Sequence, residues 1–452
     1  MMHPILVLLI AIALIFLLIL HLKVNAFIAL ITAALVVGIL SPRVKLAAAM
    51  EETARIFGET AGKIGIVIAL AAVIGQCLME SGAADKITRR IVALLGERYS
   101  SLSLLGSGYV LSIPVFFDTV FYLLVPLARA MRVRTGKNYL LYVMSICAGA
   151  TVTHSLVPPT PGPVAMAAML KLDLGIVILV GFMVGLPASF CGWLFANYMD
   201  RKLHVEFREA PGLRMKELEE LAHKPESELP GFWFSVMPIL LPVLFITSNT
   251  VVSSIDKESA VAPFTAFLGN PNFALLVSTG IALYLLVRQK HYSLVQLARP
   301  VESALASGGL IILITSAGGA FGGMLVLAGV GDALHGLSER LGFPVLLLAF
   351  LLAVLFKVAQ GSGTVSMITT ATIMSPLVLA TTLPYHTVYV AMAIGAGSKV
   401  GSWMNDSGFW VVKQMSGLTE LETLKTWTPL LVILGTVAFV VTLLGSWLLP
   451  LV

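Results

Sequence analysis

The sequence predicts an all-α polytopic membrane protein built from two inverted-topology repeats. Three observations predict this fold: the composition, a series of apolar runs of spanning length, and a register in which the two halves resemble each other. Of the 452 residues, 58% are hydrophobic and 12% are charged, whereas a soluble domain carries roughly 25% charged residues. This composition excludes an ordinary soluble enzyme, and it also excludes a disordered chain, which needs low hydrophobicity and high charge.

The apolar runs come first, because a helix that crosses a bilayer needs about 20 apolar residues. Continuous runs of this kind lie at 4–20, 24–41, 64–79, 174–199, 232–252, 273–288, 308–328 and 428–449. We expect the first run to be a spanning helix rather than a signal peptide, because it lacks a basic region before it and a small-residue cleavage site after it.

Four further apolar segments are interrupted by Pro, Gly, Ser, Thr and Asn. These segments are 101–128, 138–170, 344–377 and 388–412. We expect 101–128 and 344–377 to be re-entrant hairpins that enter and leave on one face of the membrane. We expect 138–170 and 388–412 to be broken transmembrane helices that each cross once.

The two halves resemble each other in one register. A shift of 247 residues without gaps pairs Gly75 with Gly322 and Ser155 with Ser402. The same shift places the Pro-rich break of the first half on the Asn405 break of the second. Internal duplication is the usual build of secondary transporters. Chance similarity between two apolar segments is the alternative.

Charge then indicates the topology. Each half has five predicted crossings, an odd number, so the copies at 1–200 and 231–452 would be inverted, with a cytoplasmic linker at 201–230. The loops assigned to the cytoplasm contain 20 Lys and Arg residues and the opposite loops contain seven, while Lys357 and Lys399 lie inside the membrane. An excess of positive charge on the cytoplasmic side is the expected bias.

The interruptions predict a polar cavity at mid-membrane, because irregular backbone survives in a bilayer only where protein or water satisfies it. Helix N-termini that end at such a cavity favour an anion. We therefore expect a small organic anion as the solute. The candidate substrate-binding residues are Asp118, His154, Ser155, Thr160, Gly162, Gln360, Ser362, Gly363, Thr364, Asn405, Asp406 and Ser407.

Four ionisable residues in these segments leave alternatives open. Asp118 and Asp406 are candidates for proton coupling, because an intramembrane carboxylate costs at least about 2.5–3.5 kcal/mol, but either could cap a helix end or pair with a neighbour. His154 is a ligand, a proton relay or a hydrogen-bonded structural residue. Lys399 could attract a carboxylate, extend towards the membrane surface, or pair with an Asp.

Other classes of protein lack support in the sequence. There is no phosphate-binding G-x-x-x-x-G-K-[ST] loop, no metal-ligand cluster and no hydrolase motif. We expect no enzyme activity, no cofactor, no metal ion and no nucleic-acid partner. A passive channel remains an alternative, although duplicated interruptions with scarce intramembrane charge fit alternating access better.

Four motifs in order resemble the gluconate permease (GntP) family, and the resemblance runs essentially end to end. They are Pro114-Val-Phe-Phe-Asp118, His154-Ser-Leu-Val-Pro-Pro-Thr-Pro-Gly-Pro163, Ala359-Gln-Gly-Ser-Gly-Thr364, and Gly395-Ala-Gly-Ser398 with Asn405-Asp-Ser-Gly-Phe-Trp410. The resemblance implies proton-coupled uptake of gluconate or a related small hydroxy acid across the bacterial inner membrane, an elevator-like movement and a homodimer.

Alternatives within the resemblance are a carrier of D-serine, glycerate or another small carboxylate, and sodium coupling in place of proton coupling. Two residues depart from the family pattern. Thr160 stands where the family usually has His, and Lys399 stands where an apolar residue is expected. Both departures bear on substrate specificity.

Overall fold

The regular structure of the described chain is helical throughout. The computed structural model describes residues 3–96, 99–208, 228–256, 258–330, 333, 344–404 and 406–451. Within these ranges there is no β-strand, and eight helical segments are long and apolar enough to cross a membrane. The predicted all-α polytopic class is confirmed.

The first half contains nine α-helices within its described residues. They are α1 (Pro4–Phe16), α2 (Ala26–Leu40), α3 (Ala49–Glu80), α4 (Ala83–Leu95), α5 (Ser100–Leu111), α6 (Phe117–Thr135), α7 (Tyr139–Leu156), α8 (Pro161–Met169) and α9 (Leu174–Lys202). Most of the predicted linker, 209–227, lies outside the described residues.

The second half contains nine further α-helices within the part that the structure describes. They are α10 (Phe232–Ile255), α11 (Ala262–Leu268), α12 (Pro271–Lys290), α13 (Leu294–Leu327), α14 (Val345–Gln360), α15 (Gly363–Ala380), α16 (Val388–Gly397), α17 (Ser407–Ser416) and α18 (Glu420–Leu448).

The helices are interrupted inside the four segments that the sequence singles out. The interruptions are 112–116, 157–160, 361–362 and 398–406. Two of them have a simple local cause. Helix α7 ends before Pro158 because a proline disfavours helical backbone in the residue that precedes it. Helix α14 ends at Gln360 because the next residue, Gly361, has a φ of 83°, the left-handed conformation that favours glycine.

Helix α3 is longer than the sequence predicts. The sequence assigns residues 41–63 to an outer loop, because they are rich in charge, but α3 begins at Ala49. Along its first turns Arg55 forms ion pairs with Glu52, at 2.7 Å, and with Glu59. Ion pairs three and four residues apart support a helix, so the charges that suggested a loop stabilise the extension instead.

Helices α3 and α13 pack side by side and run in opposite directions. Gly323 of α13 faces Ile56 of α3, Gly319 faces Thr60, and Gly308 faces Ala72, so residue numbers rise along one helix as they fall along the other. The 247-residue shift superposes the bounds of these two helices to within two residues, and does the same for α9 and α18. Opposite directions in register-equivalent helices support the proposed inverted duplication.

Helices α7 and α16 form the centre of the molecule, where almost every side chain is buried. Helix α5 can approach α7 closely because Gly149 has no side chain: a β-carbon there would overlap the carbonyl group of Leu105. Helices α14 and α16, which the 247-residue shift relates to α5 and α7, make a similar contact. A β-carbon at Gly397 would overlap the carbonyl group of Phe350. These close contacts place the C-terminal ends of α7 and α16 deep inside the protein.

Candidate functional site

A cavity of about 190 Å³ lies where the interrupted helices meet. Its volume is below the roughly 300–1,000 Å³ of sites for drug-sized ligands, and so it suits a small solute. The lining residues come from the first interruption (Phe116, Phe117, Asp118), the end of α7 (Thr151, His154, Ser155), the hairpin tip between α14 and α15 (Lys357, Ser362, Gly363, Thr364), the break before α17 (Ser398, Lys399, Asp406, Ser407, Gly408) and α18 (Trp427, Leu431).

Three helices begin at this cavity: α6, α15 and α17. Ser362 caps α15 by accepting a hydrogen bond from the backbone N–H of Val365 at 3.3 Å. Helix α6 has no side-chain cap. The first four N–H groups of any helix lack partners within the helix, and they carry a partial positive charge. Three such termini at one cavity make its backbone a favourable environment for an anion.

Asp406 has both of the structural roles that the sequence left open. It caps α17 by accepting a hydrogen bond from the backbone N–H of Gly408 at 3.0 Å, and it forms an ion pair with Lys357 at 2.8 Å. The hydroxyl of Ser402 also donates to Asp406, and the indole N–H of Trp427 donates to Ser402 at 2.8 Å. The carboxylate of Asp406 is therefore held by three donors from three directions.

Lys399 is buried and lies between the two halves of the protein. Its ammonium group donates to the hydroxyl of Ser155 at 2.8 Å and to the backbone carbonyl of Thr151. Neither group is an Asp, and both belong to buried residues of α7. Lys399 is therefore neither paired with an Asp nor extended towards the surface of the protein, which were two of the alternatives that the sequence allowed.

Asp118 and His154 retain unused hydrogen-bonding capacity at the cavity. Asp118 lies in the first turn of α6, partly buried, and within the described residues its carboxylate forms no hydrogen bond or ion pair. The Nδ1 atom of His154 is buried without a hydrogen-bond partner in the same part of the chain. The imidazole ring lies against Phe116, with 5.8 Å between ring centroids.

The structure brings together most, but not all, of the predicted site residues. Thr160 and Gly162 do not line this cavity. The hydroxyl of Thr160 instead donates to the carbonyl of Val157 at 2.7 Å, inside its own turn, and Gly162 lies against Met367. Asn405 and the side chain of Gln360 lie outside the described residues.

Several residues that line the cavity were not predicted from the sequence. Lys357 was placed inside the membrane by charge counting without a role, although a lysine within an apolar run is itself a signal. Phe116, Phe117 and Trp427 carry no distinctive signal, because aromatic residues are common in any apolar helix. Within the described residues, no group of three His, Cys, Asp or Glu side chains is placed to hold a metal ion.

The fold and the site define a class of protein. Interrupted helices whose ends surround a polar cavity inside a helical membrane protein are the build of secondary transporters. Over residues 3–448 the chain matches the family model of the GntP family permeases, and the chain belongs to the GntP permease family. It is a multi-pass protein of the bacterial inner membrane, and the predicted family, transporter class and location are confirmed.

Curated relatives match along nearly their whole length. The chain is 34% identical to a gluconate permease of Pseudomonas aeruginosa, with 94% of this chain and 93% of the relative covered. It is 32% identical to the low-affinity gluconate transporter of Escherichia coli K12, with 94% of each covered. It is also 32% identical to the Gnt-II system L-idonate transporter of that strain, with 98% of each covered.

A solved structure shares the fold. The YdaH transporter of Alcanivorax borkumensis, whose crystal structure is described as revealing an unusual topology, matches with a TM-score of 0.66 at 14% sequence identity, and 91% of each chain is covered. At this identity the similarity concerns the fold alone.

Proposed function

We propose that this permease takes up gluconate or a related small sugar acid by proton symport. The observation that carries the proposal is the cavity itself: three helix N-termini, several hydroxyl groups and one carboxylate that has no partner among the described residues surround a space suited to a small polar anion. The names of the relatives support the substrate class, since they include gluconate and L-idonate carriers.

The polar lining suits the chemistry of a polyhydroxy acid. Ser362, Thr364 and Ser407 line the cavity beside the helix termini, and a hydroxyl group can both donate and accept a hydrogen bond. Substrate hydroxyls would bond these side chains, and the partial positive charge of the helix N-termini would favour the negative charge of the solute in the same cavity. Sugar acids such as gluconate and L-idonate differ in the configuration of their hydroxyl groups. The positions of the hydroxyl side chains in the lining would therefore set the preference between them.

Asp118 is the proton carrier in this proposal, rather than Asp406. A coupling carboxylate must gain and lose its proton as the site fills and empties. Asp406 is held in an ion pair with Lys357 and caps a helix, and the ion pair requires its charged form. Asp118 has no such partner among the described residues and faces the cavity, so protonation there breaks no existing bond.

Alternating access would move the interrupted helices, together with the cavity, against a scaffold of continuous helices, as in an elevator. The face of helix α13 that packs against α15 is consistent with this movement. Gly318 and Gly322 face Thr372 of α15, and side chains would overlap there or fit only tightly. At these two positions α13 has no side chain that interlocks with α15, so the two helices can pack closely without one blocking the other. Assembly as a homodimer belongs to the same proposal, and mass measurement in detergent tests it.

Accumulation by proteoliposomes tests the coupling. A gradient of one pH unit is worth about 1.4 kcal/mol, or about tenfold accumulation of an anion carried with one proton. We expect about tenfold accumulation of gluconate by the wild type with the membrane potential clamped, and none by Asp118→Asn. Exchange of external for internal gluconate requires no net proton movement, so we expect it to persist in the variant.

Glu420→Gln is the matched control, because Glu420 is half-exposed and pairs with Lys413 away from the cavity. It should accumulate gluconate as the wild type does. Accumulation by Asp118→Asn at the wild-type level would refute the proton assignment. If the wild type still accumulates gluconate in the presence of a protonophore but not in the absence of sodium, coupling is to sodium instead. Competition by D-serine or glycerate would identify the alternative substrates.

A further inference from the structure

Four charged side chains line the cavity, and only two of them neutralise each other. Lys357 and Asp406 form an ion pair at 2.8 Å. Asp118 and Lys399 remain, and within the described residues neither has a partner of opposite charge. Lys399 is only 3% exposed, and an ammonium group that is removed from water without a counter-ion is costly. The site therefore contains a buried positive charge that lacks its counterpart.

The hydrogen bonds of Lys399 show how a counter-ion would fit. A lysine ammonium group has three N–H donors. Two of these bond the hydroxyl of Ser155 and the carbonyl of Thr151, which are neutral oxygens of α7. One donor remains, and Lys399 is one of the residues that line the cavity. The two bonds fix the direction of the side chain, so the third donor is held in place before any solute arrives.

We propose that Lys399 binds the carboxylate of the transported solute and adds to the preference of this site for anions. This inference rests on the proposed function and extends it, because it assigns the two ends of the substrate to different groups. The carboxylate bonds the ammonium of Lys399, and the polyol chain extends towards the hydroxyls of Ser362, Thr364 and Ser407. The substrate class is then a monocarboxylate with a hydroxylated chain. Its single charge is balanced by one lysine.

Binding of a charged and an uncharged ligand of the same length tests this assignment. D-Glucitol resembles gluconate but lacks its carboxylate. Thermal-shift titration of the purified protein gives the dissociation constant of each ligand. We expect the wild type to prefer gluconate, and we expect Lys399→Met to bind gluconate at least about 30-fold more weakly, at the level of D-glucitol, because one partner of a desolvated charge pair is removed.

Controls separate binding from folding. Lys413→Met removes a surface lysine that pairs with Glu420 and should retain the wild-type preference. Lys399→Arg keeps the positive charge and should retain a preference for gluconate, at reduced affinity. If Lys399→Met fails to fold, the arginine variant still decides: loss of the preference in a folded Lys399→Arg protein would overturn the inference, and its retention would support it.

The failure of this inference differs from failure of the proposed function. A folded Lys399→Met variant that prefers gluconate over D-glucitol as strongly as the wild type does would overturn the assignment of Lys399 and leave the symport proposal intact. A wild-type protein that binds no sugar acid would overturn the proposed function, and the inference with it.

Discussion

The two helix breaks related by the 247-residue register are built from different chemistry. The break of the first half, 157–160, has four residues, two of them prolines, and one side-chain bond, from Thr160 to the carbonyl of Val157. The break of the second half, 398–406, has nine residues, and its described side chains include Lys399 and Asp406. The second break is held by an ion pair and by hydrogen bonds to α7 and α18.

The difference indicates that two related breaks can have different roles, one structural and one in binding. Proline has no N–H group, so the first break leaves few backbone donors that need partners. The second break exposes more backbone and uses charged side chains to satisfy it. The ion pair and hydrogen bonds of the second break can be replaced by hydrogen bonds to a solute, whereas the proline turn of the first break has few such bonds to replace. We infer that the second break recognises the solute and the first positions it.

The largest effect should follow from removing Lys357. Lys357→Met leaves the buried carboxylate of Asp406 without its counter-ion, which costs about 3 kcal/mol of the free energy of unfolding, the lower end of the usual range, because Ser402 and Gly408 continue to donate to it. SDS titration in mixed micelles measures this loss.

The double variant Lys357→Met/Asp406→Asn supplies the control. Asparagine caps a helix about as well as aspartate does, and neither charge then remains. We expect most of the lost stability to return. A single variant that unfolds within about 0.5 kcal/mol of the wild type, within the scatter of ordinary surface substitutions, would show that the ion pair contributes little to the second break.

A smaller effect should follow in the first break. Thr160→Val keeps the shape of the side chain and removes its bond to the carbonyl of Val157, at a cost of about 1 kcal/mol. Because Thr160 does not line the cavity, the KM for gluconate should be unchanged. An increase of KM by about tenfold or more, with stability unaffected, would mean that the first break also contacts the solute.

Among the described residues, four helix interruptions fall inside segments that are rich in helix-breaking residues, but the sequence does not give the direction of each side chain. Pro158 and Gly361 interrupt helices by local geometry, which is readable from sequence. Whether a residue in a break faces the cavity depends on tertiary packing. Thr160 therefore satisfied the sequence criteria for the site, although it bonds within its own turn.

Lys357 escaped for a related reason. Its partner Asp406 is 49 residues further along the chain, and no local pattern connects the two. The extended start of α3 was hidden because charged residues indicate a loop unless they pair along a helix, as Arg55 does with Glu52. In both cases the missing information is which charge contacts which.

Protection of a cysteine by substrate tests most directly the claim that the solute binds where the helix breaks meet. Ser407 lines the cavity with an exposed side chain, and Ala260 is exposed in a loop outside it. In a background without Cys77, Cys147 and Cys191, each position is replaced by cysteine and treated with a methanethiosulfonate reagent. We expect gluconate to slow modification of Ser407→Cys and to leave Ala260→Cys unaffected. Equal rates at Ser407→Cys with and without saturating gluconate, in a variant that still binds gluconate, would contradict it.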